Sequence, residues 1–243
     1  MPTSISVELV PRDASTLLLE AEVVSLYAQV THINIPDLMH RSGFTPLRSV
    51  EAIELIKHRF GDRFIYVPHI RAWSGAFQEN VQVEDIALVV GGDKPAQYYA
   101  KQEDTSISRI KHLAQKMPVM AALDPYRSSL KEELAYMTKK RAAGAQGFFT
   151  QPFFSLTHAR YWDSLIPHDV EVFYGISPVT TLSSIKYWQE KNHAVFPSKF
   201  VPTEAGQIKL ARSILDFAEK RGRSAYVMPI RMPLAPYLKK VFA

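Results

Sequence analysis

The chain has 243 residues, no cysteine, a formal net charge of +5, and 47% hydrophobic and 22% charged residues. Without cysteine there is no disulfide, no thiolate nucleophile and no thiolate-held metal or iron–sulfur cluster, so redox chemistry would need an organic cofactor or a metal held by other ligands. The longest apolar runs, such as 86–90, are too short to span a bilayer, and Met1 to Ser6 lacks the basic-then-apolar pattern of an export signal. The expectation is a cytoplasmic protein with no membrane partner.

A pI of about 9.3 raises a nucleic-acid reading. The basic residues are dispersed, however. Their densest groups, Lys139-Lys140-Arg141, Arg221-Gly222-Arg223 and Lys239-Lys240, fall at expected helix ends, where cations meet the negative end of the helix dipole. No nucleic-acid partner is expected, and attraction of small anionic substrates remains open.

In chain order, β-branched and aromatic runs predict strands at 5–10, 27–31, 64–69, 86–90, 119–122, 147–150, 171–175 and 224–230. Helical periodicity predicts helices at 14–25, 47–59, 75–81, 104–116, 128–143, 155–165, 180–191 and 203–220, and the segment 234–242 is expected to close the bottom or flank. Ser128 and Ser155 suit N-caps, and Gly61, Gly144 and Gly222 fall where a left-handed residue closes a helix. No Pro/Ser/Gly-rich linker divides the chain. Strand–helix alternation repeated eight times predicts a single-domain (β/α)8 TIM barrel over residues 1–243, with a doubly wound open sheet as the alternative.

In such a barrel, reactive groups stand at the carboxyl ends of the strands. Glu8 in "SISVELVPRD" shares a face with Ser6 and Val10. Burial would raise its pKa and suit it to general-acid work, while an ion pair with an arginine is the structural alternative. "QVTHIN" and "YVPHIRA" offer Thr31, His32 and His69 as ligand hydrogen-bonding groups or satisfied core residues. No HxH or HExxH spacing supports a metal.

"VVGGDKP" turns on Gly91 and Gly92 and delivers Asp93, which either faces a ligand or caps a turn with Pro95. Asp124 follows the fifth strand. Gln151 follows the sixth among Phe148, Phe149, Phe153 and Phe154, an aromatic group that is core or the wall of a flat-heterocycle site. Arg231 follows the eighth. With no serine elbow, this inventory suits proton management around a planar conjugated ligand rather than acyl transfer.

These stretches, "SVELVPRD", "VTHIN", "VPHI", "VVGGDKP" followed by "YYA", "KKRAAGAQGFFTQPFF" and "GISPVTTL", taken in order, resemble the 5,10-methylenetetrahydrofolate reductase family from about Ser6 to Arg231. The resemblance implies reduction of 5,10-methylenetetrahydrofolate to 5-methyltetrahydrofolate by NADH or NADPH through FAD, in one-carbon metabolism and methionine biosynthesis. It makes Glu8 the general acid, sets Asp93 near the flavin and pterin, and gives Gln151 a hydrogen bond to pterin or nicotinamide. Thr31, His69, Gly92, Tyr99, Lys140 and Arg231 become FAD-binding positions, Lys140 at the diphosphate. Phe153 and Leu182, with Gln151, become substrate-binding positions.

The sequence departs from the family at Gly91, where an arginine is usual, at the short "LDPYR" after the fifth strand, and at the "VMPIR" ending. These departures remove FAD contacts and open two alternatives: direct hydride transfer from NAD(P)H, or a non-redox folate-binding barrel with methyl-transfer or lyase chemistry. A binding or regulatory protein without turnover is a third. Retention of Glu8, Asp93 and Gln151 together argues against it. No signal fixes the oligomeric state or the choice of NADH over NADPH.

Overall fold

Eight short runs of β-branched and aromatic residues form the strands of one closed, all-parallel barrel, in the order β1-β2-β3-β4-β5-β6-β7-β8 with β8 returning to β1. The computed structural model describes residues 3–38, 43–72, 86–91 and 105–243. The strands are β1 Ile5–Glu8, β2 Val30–Ile35, β3 Ile65–Arg71, β4 Ala87–Val90, β5 Val119–Leu123, β6 Gly147–Pro152, β7 Glu171–Ile176 and β8 Ser224–Val227. The described helices are α1 Ala14–Ser25, α2 Ser49–Phe60, α3 Ser106–Leu113, α4 Leu130–Ala142, α5 Leu156–Asp163, α6 Leu182–Asn192, α7 Glu204–Lys220 and α8 Leu234–Phe242. The expected helix 75–81 lies outside the described residues. Among the described residues no helix is long and apolar enough to cross a membrane.

Strand alternation divides the core in two. One set of side chains packs under the helices: Val7, Ile33, Phe148, Tyr174 and Val227 meet Leu17, Ile56, Ile110 and Ile214. The other set faces the axis: Val67, Leu88, Met120, Phe149, Phe173, Tyr226 and Met228. Phe149 stacks on Phe173 with centroids 4.2 Å apart, an arrangement that contributes about 0.5–1.5 kcal/mol beyond area burial. Because both faces are buried, the strands read as near-continuous apolar runs.

Local chemistry sets the helix ends. Asp13 caps α1 by accepting from the Thr16 amide at 2.8 Å. Ser129, one residue beyond the expected Ser128, caps α4 in a reciprocal box with Glu132. Ser155 caps α5 as expected. Gly61, Gly144 and Gly222 all adopt positive φ after α2, α4 and α7, where a side chain would be strained.

Two strands differ most from expectation. β2 begins at Val30 and runs to Ile35, because the segment from Tyr27 turns and Tyr27 packs on Phe242 of α8, with centroids 5.4 Å apart. β8 stops at Val227, since Pro229 has no amide to extend the ladder.

The amino-terminal end of the barrel is closed by a polar network. Asp163, 3% exposed, accepts from the Tyr174 hydroxyl, from Arg221 Nε at 2.6 Å and from Arg223 Nε at 3.0 Å. Arg223 also donates to the carbonyl of Val170 at 2.5 Å and to that of Ile166 at 3.2 Å. Burial opposes ionisation of Asp163, but the tyrosine and the two arginines outweigh it and hold the carboxyl below the usual range.

Candidate active site

At the opposite, carboxyl end of the strands, β1 finishes on Glu8. Its side chain turns to the axis, where the Tyr226 hydroxyl donates to Oε2. Burial is the largest influence on this carboxyl and outweighs the Tyr226 bond, raising its pKa from 4.5 to about 7. No described residue forms an ion pair with it, so the arginine partner considered from sequence is not the arrangement seen. Glu8 is therefore an acid poised to exchange a proton near neutrality.

Around it the axis is polar but uncharged. Asn34, paired with Glu8 in the β1–β2 register, is fully buried; its amide lies near the Tyr226 hydroxyl without a hydrogen bond of regular geometry. Ser6 Oγ and His69 Nε2 are likewise buried with no hydrogen-bond partner among the described residues. Burial pushes His69 down to about 3 and His32 down to about 4, so both imidazoles are neutral at physiological pH. No group of three or more His, Asp or Glu side chains that could hold a metal is present among the described residues.

A second hollow opens beyond β4, β5 and β6, a cleft of about 460 Å³ lined by Gln151, Asp124, Arg127, Lys140, Lys191 and His193, among others. Gln151 reaches it because four residues of β6, Phe149 to Pro152, face only three of β7, Phe173 to Gly175, a register shift that re-aims the strand end. Gly175 is required there. A Cβ would lie 2.5 Å from the Thr150 carbonyl oxygen. Lys140 is drawn down onto β5: its Nζ donates to the Ala122 carbonyl at 2.5 Å and lies 3.7 Å from Glu133 Oε1. Burial, partly offset by Glu133, lowers its pKa to about 8.

The other expected positions separate. Asp93, Gly92 and Tyr99 lie outside the described residues. Glu8 and His69 face the axis, whereas Glu8 and Gln151 border different openings, Glu8 at a crevice beside Pro229 and Ile230 and Gln151 at the cationic cleft. Thr31 is not at a strand exit. Because β2 starts later than expected, Thr31 is its second residue and donates to the Ile5 carbonyl at 3.3 Å. Phe153 is 1% exposed and packs on Tyr174 in the outer core rather than walling the mouth. Leu182, at the start of α6, is 81% exposed. Arg231 sits at φ 59° beyond β8, with its guanidinium 5.5 Å from the Tyr187 ring centroid.

Sequence reasoning missed Tyr226, although Tyr226 and Met228 alternate onto one face of "YVMP". It also missed the pair at the exits of β2 and β3, where Arg71 Nε meets Asp37 Oδ2 at 2.8 Å; nothing in either local sequence signals that pairing.

No family model matches the sequence, and no curated protein matches it. Among solved structures, the chain is similar to a dihydropteroate synthetase at TM-score 0.52 and 14% identity, covering 99% of this chain and 92% of that one. It is similar to the 7,8-dihydropteroate synthase of Vibrio fischeri ES114 at TM-score 0.53 and 12% identity, covering 99% and 91%. It is also similar to the phospho-2-dehydro-3-deoxyheptonate aldolase of Thermotoga maritima at TM-score 0.54 and 10% identity, covering 93% of this chain and 59% of that one. Such likeness speaks for the fold. The chain is a (β/α)8 barrel, with its polar axis groups and cationic cleft at the end where such barrels carry their chemistry.

Proposed function

We propose that the chain is an enzyme acting on a reduced folate, and that its reaction is reduction of 5,10-methylenetetrahydrofolate to 5-methyltetrahydrofolate with NAD(P)H as hydride donor. The observation that carries this reading is Glu8: a carboxyl on the barrel axis with a pKa near 7, bonded to a neutral phenol and with no ion-pair partner among the described residues. Protonation of N10 by such an acid breaks the N10–methylene bond and leaves a cationic iminium at N5. The carboxylate formed beside it stabilises that cation, and hydride addition to the methylene carbon completes the 5-methyl product. Asp93 is proposed to hold the pterin, and Gln151, which borders the cationic cleft, the nicotinamide, through hydrogen bonds.

The described residues do not assemble the FAD site that the resemblance implies. Thr31 faces away from the mouth, Arg231 is engaged by Tyr187, and Lys140 is already held by Ala122 and Glu133. No step is therefore routed through flavin. Direct transfer from the nicotinamide is the favoured route, with Arg127 and Lys191 offering charge for the nucleotide's diphosphate.

A second reading, a folate-binding barrel enzyme without redox chemistry, is supported by the whole-chain likeness to dihydropteroate synthases, whose named product contains a pterin.

The test is to add methylenetetrahydrofolate to purified protein with NADH or NADPH, following nicotinamide absorbance and the visible flavin band. Consumption by colourless protein supports direct transfer. Folate binding without nucleotide consumption favours the second reading. Glu8→Gln is expected to keep folate binding and to slow turnover by roughly 10²–10⁴-fold.

A further inference from the structure

The acid has a neighbour whose role no motif announces. Tyr226 lies on β8 opposite Ser6 of β1, one inward-facing step below Glu8. It is 4% exposed, and its ring stands edge-on against Phe149, at 90° and 5.2 Å between centroids. Phe149 is in turn stacked on Phe173. The ring is thereby fixed, with its hydroxyl donating to Glu8 Oε2 and lying beside the Asn34 amide. Among the described residues no hydrogen bond reaches Oε1.

We propose that Tyr226 is the positioning residue of the acid: its hydroxyl, donated to one oxygen of Glu8 across the β1–β8 seam, fixes the carboxyl and leaves the other oxygen to carry the transferable proton. This rests on the reading of Glu8 as a general acid.

Chemistry supports a phenol in that place. Burial and the adjacent carboxyl push Tyr226 well above its ordinary value, so it stays a neutral donor throughout the working range. A donor binds a carboxylate more strongly than a carboxylic acid, so the bond tightens as Glu8 gives up its proton. The remaining surroundings do little to help. Pro229, Ile230, Met232 and Leu234 line the crevice beside Glu8, and Arg12 and Glu20, which also border it, pair with each other at 3.5 Å. His32, on β2, is neutral and set against Phe173. Asn34 contributes an uncharged amide.

The test reads Glu8 itself, independently of any substrate. Infrared titration of the protonated carboxyl, assigned by its loss in Glu8→Gln, should give a midpoint near 7. Tyr226→Phe removes a hydrogen bond to a charged group and should raise that midpoint by about one pH unit or more. Site-specific 3-fluorotyrosine at 226, a stronger donor of nearly equal volume, should lower it. An unchanged midpoint in both variants overturns the proposal. Should Tyr226→Phe fail to fold, the fluorotyrosine protein decides alone.

In turnover, the high-pH limb should move with the midpoint in each variant; a limb that stays fixed while the midpoint moves overturns the positioning role. If the midpoint moves but wild-type protein consumes no NAD(P)H with methylenetetrahydrofolate, the Glu8–Tyr226 coupling stands and the folate reading falls.

Discussion

The two ends of the barrel each hold a carboxyl that accepts from a tyrosine, and the two carboxyls behave oppositely. At the amino-terminal end, Asp163 accepts from Tyr174 and also from two guanidinium groups, and is held below its ordinary pKa. At the carboxyl end, Glu8 accepts from Tyr226 alone and is raised to about 7. At Glu8 a phenol alone does not offset burial; at Asp163 a phenol and two guanidinium groups together do. Glu133 lies between these cases, buried, with one ammonium at 3.7 Å, and burial still raises it. What separates the carboxyl that locks the fold from the one free to exchange a proton is how far donors and cations together outweigh burial.

The severest way to break this comparison is Asp163→Ala, which strands the charge of Arg221 and Arg223. The expected loss is about 3–5 kcal/mol in urea unfolding, with the Glu8 titration unmoved; a loss well under that range would deny the network its locking role. Because the folded pKa of Asp163 is depressed, its contribution is present above the unfolded value near 4 and disappears as pH falls through the folded one. Wild-type protein should therefore lose stability at acid pH more steeply than Asp163→Asn.

Glu8→Gln tests the other end with the opposite sign. Since the folded pKa of Glu8 is raised, its contribution is complete below pH 4.5 and is lost as pH rises through about 7. The Gln variant should match wild type at pH 4 and exceed it at pH 8 by on the order of 2–3 kcal/mol. Equal stabilities at both pH values would mean that Glu8 is well hydrated in the folded state.

Glu133→Gln sharpens the intermediate case. Removing the carboxylate that pairs with Lys140 should lower that amine from about 8 by about one further pH unit, measured by the pH dependence of its reductive methylation. The mildest change is Ser129→Ala, which removes the cap of α4, the helix that carries Lys140; about 1 kcal/mol of stability should go, with no change at Glu8.

Much of the scaffold was legible in the chain. Apolar β-branched runs located all eight strands, and the Gly61, Gly144 and Gly222 closures fell where expected, because pleat periodicity and left-handed backbone geometry are local requirements. The start of β2 was not legible: "YAQVTHIN" supports a strand from Tyr27 equally well by composition, and the packing of Tyr27 on Phe242, distant in sequence, ends the ambiguity. That slip misplaced Thr31 and His32 at a strand exit. The aromatic density of "GFFTQPFF" was likewise ambiguous; the structure sends Phe149 to the axis and Phe153 under the helices. Glu8 and Gln151 were recognisable as polar residues at strand ends.

The amino-acid sequence by itself determined the periodic faces, the caps and hence a ring of parallel strands with polar groups at their ends, since each depends on neighbours within a few residues. Only the tertiary structure decided that, among the described residues, Glu8 meets Tyr226 without an ion-pair partner while Asp163 meets two guanidinium groups, because closing β8 onto β1 and α5 onto the α7–β8 turn joins residues far apart in the chain. The proton affinity of a buried carboxyl depends on that company, which no local pattern specifies.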